Sequence, residues 1–141
     1  MRGPRPPRRP PRRASGRVVA RPPPARARAI RAAYNYAVSL NGLNRFKEAK
    51  SLLRTTVPVA RRMFGESNRL TLKMRKIYAH VLYNDPGATL DDLRKAVTTL
   101  EDVARIARRV LGGAHPLIVN FERSLREARA ALRARETPPA S

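Results

Sequence analysis

His80 and His115 are the only imidazoles in a chain of 141 residues that has no cysteine. A histidine-activated nucleophile or a two-histidine metal site would need both of them to meet. His115 stands directly before Pro116, where a turn residue is expected. The acids are scattered, and Asp91-Asp92 read as favourable charge at a helix N-terminus rather than as an acid/base pair. Gly112-Gly113 follows a helical pattern instead of linking a strand to a helix, so it is a stop and not a phosphate loop. Without cysteine there is no disulfide framework and no thiolate zinc site. The sequence therefore predicts a non-enzyme, with no catalytic residue, no metal ligand and no cofactor.

The residues that could bind a partner lie elsewhere. Lys73, Lys76, His80 and Tyr83 are spaced three, four and three apart, which puts them on one helical face. Leu70, Met74, Ile77 and Val81 form the neighbouring apolar face. In an internal register described below, Arg31, Tyr34, Val38 and Asn41 take matching places on the first helix. Asn120, Arg123 and Glu127 do so on the last. Such a stripe reads either as a solvated basic face or as a basic groove in which Tyr34 and Tyr83 supply flat contact area. Arg61-Arg62 and Arg108-Arg109 complement the C-terminal ends of two helices.

Helical periodicity and turn chemistry predict five helices to carry these residues. The first spans 25–40 and ends at Asn41-Gly42-Leu43-Asn44. The second spans 45–64, contains Pro58, which should kink it, and stops at Gly65. The third follows Ser67 as N-cap and reaches 83. The fourth opens at Thr89, with Asp92 completing a capping box, and runs to 111 before Gly112-Gly113. The fifth starts at Pro116 and runs to 135. No segment alternates with period two long enough to build a sheet.

Residues 1–31 hold eleven of the thirty-one basic residues and eight of the thirteen prolines, with no acid. A segment so composed buries too little apolar surface to offset its ordering entropy. The division is thus a disordered Pro/Arg-rich basic tail at 1–24, a helical repeat domain at 25–136 and a frayed C-terminus at 137–141. No apolar run is long enough to span a membrane. A cytoplasmic location is expected, with organelle targeting by the Arg-rich N-terminus as the alternative. The tail could also hold nucleic acid through phosphate contacts, although no aromatics interleave for base stacking.

The chain repeats itself. Phe46, Glu48-Ala49, Leu53, Ala60, Arg61-Arg62 and Phe64-Gly65 recur forty-seven residues on as Leu93, Lys95-Ala96, Leu100, Ala107, Arg108-Arg109 and Leu111-Gly112. Ahead of them, Tyr36-Ala37-x-x-Leu40 recurs as Tyr78-Ala79-x-x-Leu82. The order is helix A, helix B, helix A, helix B and a lone helix A. With Val110-Leu111-Gly112-Gly113-Ala114-His115-Pro116 as the turn between copies, residues 32–134 resemble the tetratricopeptide repeats of the kinesin light chain family. In the first such turn Asn68-Arg69 replaces His-Pro. The family's long coiled coil has no counterpart ahead of the repeats, and its paired groove asparagines survive only as Asn35.

The resemblance implies a superhelix of helix pairs whose A helices line a concave peptide-binding groove. The expected fold is an all-α, short tetratricopeptide-type array of about two and a half helix pairs. The expected function is a protein-interaction adaptor that takes an extended, acidic peptide against Tyr34, Asn35, Asn41, Lys73, Lys76, His80, Tyr83, Asn120 and Arg123. Ala37, Leu40, Phe46, Ala49, Leu53, Ala60, Gly65, Ala79, Leu82, Leu93, Ala96, Leu100, Ala107, Gly112 and Pro116 would carry the repeat. The rivals are a nucleic-acid-associated protein acting through the tail, and a fragment of a longer repeat protein.

Overall fold

The structure, a computed structural model, describes residues 3–6 and 23–137. The expectations of a disordered tail and a frayed C-terminus fall almost wholly outside the described residues. Within them the chain forms five α-helices and no strand: α1 (Pro24–Gly42), α2 (Phe46–Phe64), α3 (Arg69–Asn84), α4 (Leu90–Leu111) and α5 (Pro116–Glu136).

Helix ends follow the local chemistry closely. Pro24 opens α1 and Pro116 opens α5, where a missing N–H removes no helical bond. α1 runs through Gly42, and the left-handed residue that ends the turn is Asn44, at φ 59°. α2 is continuous through Pro58. Gly65 and Gly112 end α2 and α4 at φ 86° and 83°, a conformation that favours glycine. Thr89 and Asp92 form the expected reciprocal capping box, with both bonds at 3.1 Å. Aspartate thus does what the usual Glu or Gln does.

One cap differs from expectation. Asn68, not Ser67, caps α3: its side chain accepts from the Leu70 N–H at 2.8 Å. His115 does the same for α5, its Nδ1 accepting from the Leu117 N–H at 3.1 Å. The two caps stand forty-seven residues apart, as Gly65 and Gly112 do. A side chain at this place must reach a free N–H two residues on, which Asn and His do equally and which leaves Ser67 one position too early.

Each helix packs on the next, and α3 also touches α1 and α5, whereas the α2 and α4 backbones stay apart and are linked by the ion pair of Lys50 with Asp92 at 3.2 Å. α3 is therefore covered on more sides than its predicted apolar stripe allows. Met74, Ile77 and Val81 are buried as expected, but so are Thr71, Leu72, Arg75 and Tyr78, while Leu70 is only partly covered. The larger core cluster runs from Ile30 and Leu40 through Leu53 and Leu82 to Leu125. A smaller one gathers Leu72, Val103, Ile106, Ile118 and Phe121 at the other end.

The repeated alanines are the close-approach points of this packing. Ala37, Ala49, Ala60, Ala79, Ala96 and Ala107 have no exposed surface, and Leu53 and Leu100, four residues after Ala49 and Ala96, have none either. Ala96→Leu should overpack its contact and cost about 1–3 kcal/mol, read as a lower denaturation midpoint at unchanged m-value. A variant that unfolds at the parent midpoint would show that the α3–α4 contact has room the burial does not reveal.

Candidate functional site

The stripe named from the sequence divides into two parts. Between the middle of α1 and the N-terminal end of α3, Arg31, Tyr34, Asn35, Asn68, Arg69, Leu70 and Lys73 line one open cavity of about 560 Å³. Tyr34 is half-buried against the core, and burial raises its phenol above the ordinary value. Asn35 is exposed and Lys73 half-buried. Arg31, Arg69 and Lys73 are three cations around one cavity, and the only polar uncharged groups beside them are amides and a phenol. Among the described residues no carboxylate lies within ion-pairing distance of any of the three, so they face solvent with their charge uncompensated.

Further along the same helices the remaining stripe residues are engaged with each other. Asn41 on α1 and Asn84 on α3 each set an amide nitrogen 3.0 Å from Nδ1 of His80. His80 meets the ring of Tyr83 edge-on at 5.0 Å, and the Tyr83 hydroxyl donates to Glu127 Oε2 at 2.7 Å. Burial and then the Glu127 contact push the Tyr83 phenol far above its usual range. Lys76 reaches Asn120 Oδ1 at 3.4 Å. Burial lowers the Lys76 ammonium below its ordinary value; the Glu127 charge opposes that shift, and Arg123, exposed on α5, adds to it by repulsion.

Thus Tyr34, Asn35 and Lys73 share an open cavity, while Asn41, His80, Tyr83, Lys76 and Asn120 join α1 to α3 and α3 to α5. The sequence reading did not foresee this second role. It also passed over Arg69 and Asn68 as lining, though both follow from placing the α3 cap at Asn68. His115 is occupied as the α5 cap, and among the described residues no cluster of His, Asp or Glu is arranged to hold a metal ion. No described helix is long and apolar enough to cross a membrane.

Burial, then the Lys76 charge, lowers the His80 imidazole below 6.5, against a weaker opposing effect of Glu127. A base whose folded value is depressed takes up its proton more readily when unfolded. Its contribution to stability is therefore intact above about pH 6.5 and is lost as pH falls from there through the lower folded value. Melting temperature should drop between pH 7.5 and 5.5, and His80→Gln should flatten that drop. Equal slopes in the two proteins would place the acid sensitivity elsewhere.

Comparison with models of protein families, with curated proteins and with solved structures finds no match to this chain.

Proposed function

We propose that the chain is a non-enzymatic protein-interaction module of the tetratricopeptide type, similar to kinesin light chain repeats, that takes an extended acidic peptide along the α1–α3 face. The observation that carries this reading is the open cavity lined by Arg31, Arg69 and Lys73 beside Tyr34 and Asn35. Clustered cations favour acidic ligands and speed their encounter, and a fixed tyrosine covers a peptide side chain at low entropic cost. Support for the helix-pair arrangement comes from α1, α3 and α5 lying side by side while each of α2 and α4 bridges two of them. Matched caps and glycine stops at the forty-seven-residue interval add to it.

The test uses a fluorescent Asp/Glu-rich peptide carrying one Trp, compared with its Asn/Gln counterpart at moderate salt. The double variant Arg31→Glu with Lys73→Glu reverses two cavity charges without touching the buried core. Exposed charges contribute modestly one at a time, so the pair should weaken binding roughly ten-fold, or about 1.4 kcal/mol. Lys76 is a poorer choice, because its partner Asn120 and neighbour Glu127 make it part of the α3–α5 contact. Undiminished binding by a folded double variant would remove the cavity from the binding surface. If deletion of residues 1–22 alone abolished binding, the tail would be the binding element.

A further inference from the structure

A second basic cleft lies on the opposite side of α3, between α2 and α4, which the Lys50–Asp92 ion pair links. Leu53, Val57 and Pro58 form part of its wall, and its polar lining is Arg54, Arg61, Arg75, Tyr78, Lys95 and Thr99, around a cavity of about 190 Å³. Three helices each contribute a cation: Arg54 and Arg61 from α2, Arg75 from α3 and Lys95 from α4. Among the described residues neither Arg54 nor Lys95 has a carboxylate within 4 Å. Lys95 instead leans over the Tyr78 ring, its Nζ 5.2 Å from the centroid and 3.3 Å from the hydroxyl.

The floor is less usual than the rim. Arg75 is an arginine whose side chain is only 8% exposed. Its Nη2 meets Asp102 Oδ2 at 2.8 Å, but its Nη1 is sealed from solvent with no hydrogen-bond acceptor, Glu66 Oε2 standing off at 3.5 Å. A buried guanidinium with an unused donor is costly unless something negative is close, and the two nearby acids are already shared. Asp102 also pairs with Arg105, and Glu66 with Arg61. With Arg54 and Lys95 lacking a carboxylate partner, and Arg61 and Arg75 sharing two acids with Arg105, the cleft keeps an excess of positive charge. The Tyr78 and Thr99 hydroxyls add neutral donors of the sort that complete an oxyanion's shell.

We propose that this cleft is a binding site for a phosphate group. Lys95 and Arg54 clamp it from the two walls, the hydroxyls of Tyr78 and Thr99 donate to it, and the buried charge of Arg75 supplies a fixed positive field beneath. A tetrahedral dianion fits the cavity volume and presents enough acceptors for donors arriving from three helices. The site shares no residue with the α1–α3 cavity, so it stands independently of the peptide reading.

Inorganic phosphate is the probe, titrated into the full chain at constant ionic strength with chloride as the balancing anion. Amide and side-chain NMR shifts report where it binds. The expected result is a saturable response centred on Tyr78, Lys95 and Thr99. In Arg54→Gln with Lys95→Gln, both exposed positions, the apparent Kd should rise at least ten-fold while the helical signal is retained. Arg31→Glu with Lys73→Glu should leave the phosphate response unchanged. Non-saturating shifts spread over the whole basic surface, or an equal response in the Arg54/Lys95 variant, would overturn the site.

Discussion

Asp102→Ala is expected to destabilise the fold by about 3 kcal/mol, the low end of what breaking a buried ion pair costs. Its partner Arg75 is the buried member, and removing the carboxylate strands a guanidinium that water cannot reach. The low end applies because Asp102 itself is 30% exposed and Glu66 remains within 3.5 Å. Partial burial pushes the Asp102 carboxyl up, but Arg75 and Arg105 together outweigh it and hold the group below the usual carboxylate range. An acid so depressed stabilises the fold above about pH 3.8, and that stabilisation disappears as pH falls through the folded value. Urea denaturation at pH 7 and at pH 3 measures both statements. The variant should lose most at pH 7, and the gap to the parent should narrow in acid. Replacing both partners, Arg75→Met with Asp102→Leu, should recover much of the loss, since a buried pair is often no better than apolar packing. If Asp102→Ala proves neutral, Arg75 must have found another partner.

Phe121→Ala should cost still more, about 3–5 kcal/mol. Phe121 is the largest of the fully buried side chains, and it sits in the smaller cluster with Leu72, Val103, Ile106 and Ile118. That cluster joins α5 to α4 and the start of α3, so a void there loosens the last helix first. A domain of this size has roughly 5–15 kcal/mol in hand, and the expected fall in Tm is about 15 °C or more. Phe121→Leu, which keeps most of the volume, should recover the larger part. A small loss for the alanine variant would mean that α5 collapses onto the gap and that its docking is plastic.

The elements were largely legible in the sequence because their ends are written in short-range chemistry. Gly65, Thr89 with Asp92, Gly112 and Pro116 each act on the backbone within a turn, so local sequence suffices to find them. The α3 start was missed by one residue because Ser67 and Asn68 are both good caps and local preference does not separate them. The internal repeat does separate them, since Asn68 falls opposite His115.

Arg75 was not legible. Beside Met74 on an amphipathic helix it looks like any solvated arginine, and its burial depends on α4 arriving over it with Asp102. The same reason explains the divided stripe. Helical spacing places Lys73, Lys76, His80 and Tyr83 on one face, but only the lateral contact of α3 with α1 and α5 decides which of them stay open. Asn41 and Glu127, on the flanking helices, close the lower half against His80 and Tyr83. Their partners depend on how the helices pack laterally, which no spacing within α3 can reveal.

The claim at the centre is that an acidic peptide lies on the α1–α3 face. Titrating the Asp/Glu-rich peptide with one Trp into the isotope-labelled full chain, and following amide and side-chain NMR shifts at moderate salt, tests it most directly. The predicted result is a saturable cluster of shifts at Arg31, Tyr34, Asn35, Arg69 and Lys73, extending along the groove toward Asn120 and Arg123. The Asn/Gln counterpart should produce no such cluster. Shifts confined to the residues ahead of α1, or centred on α2 and α4 with the α1–α3 face silent, would contradict the account.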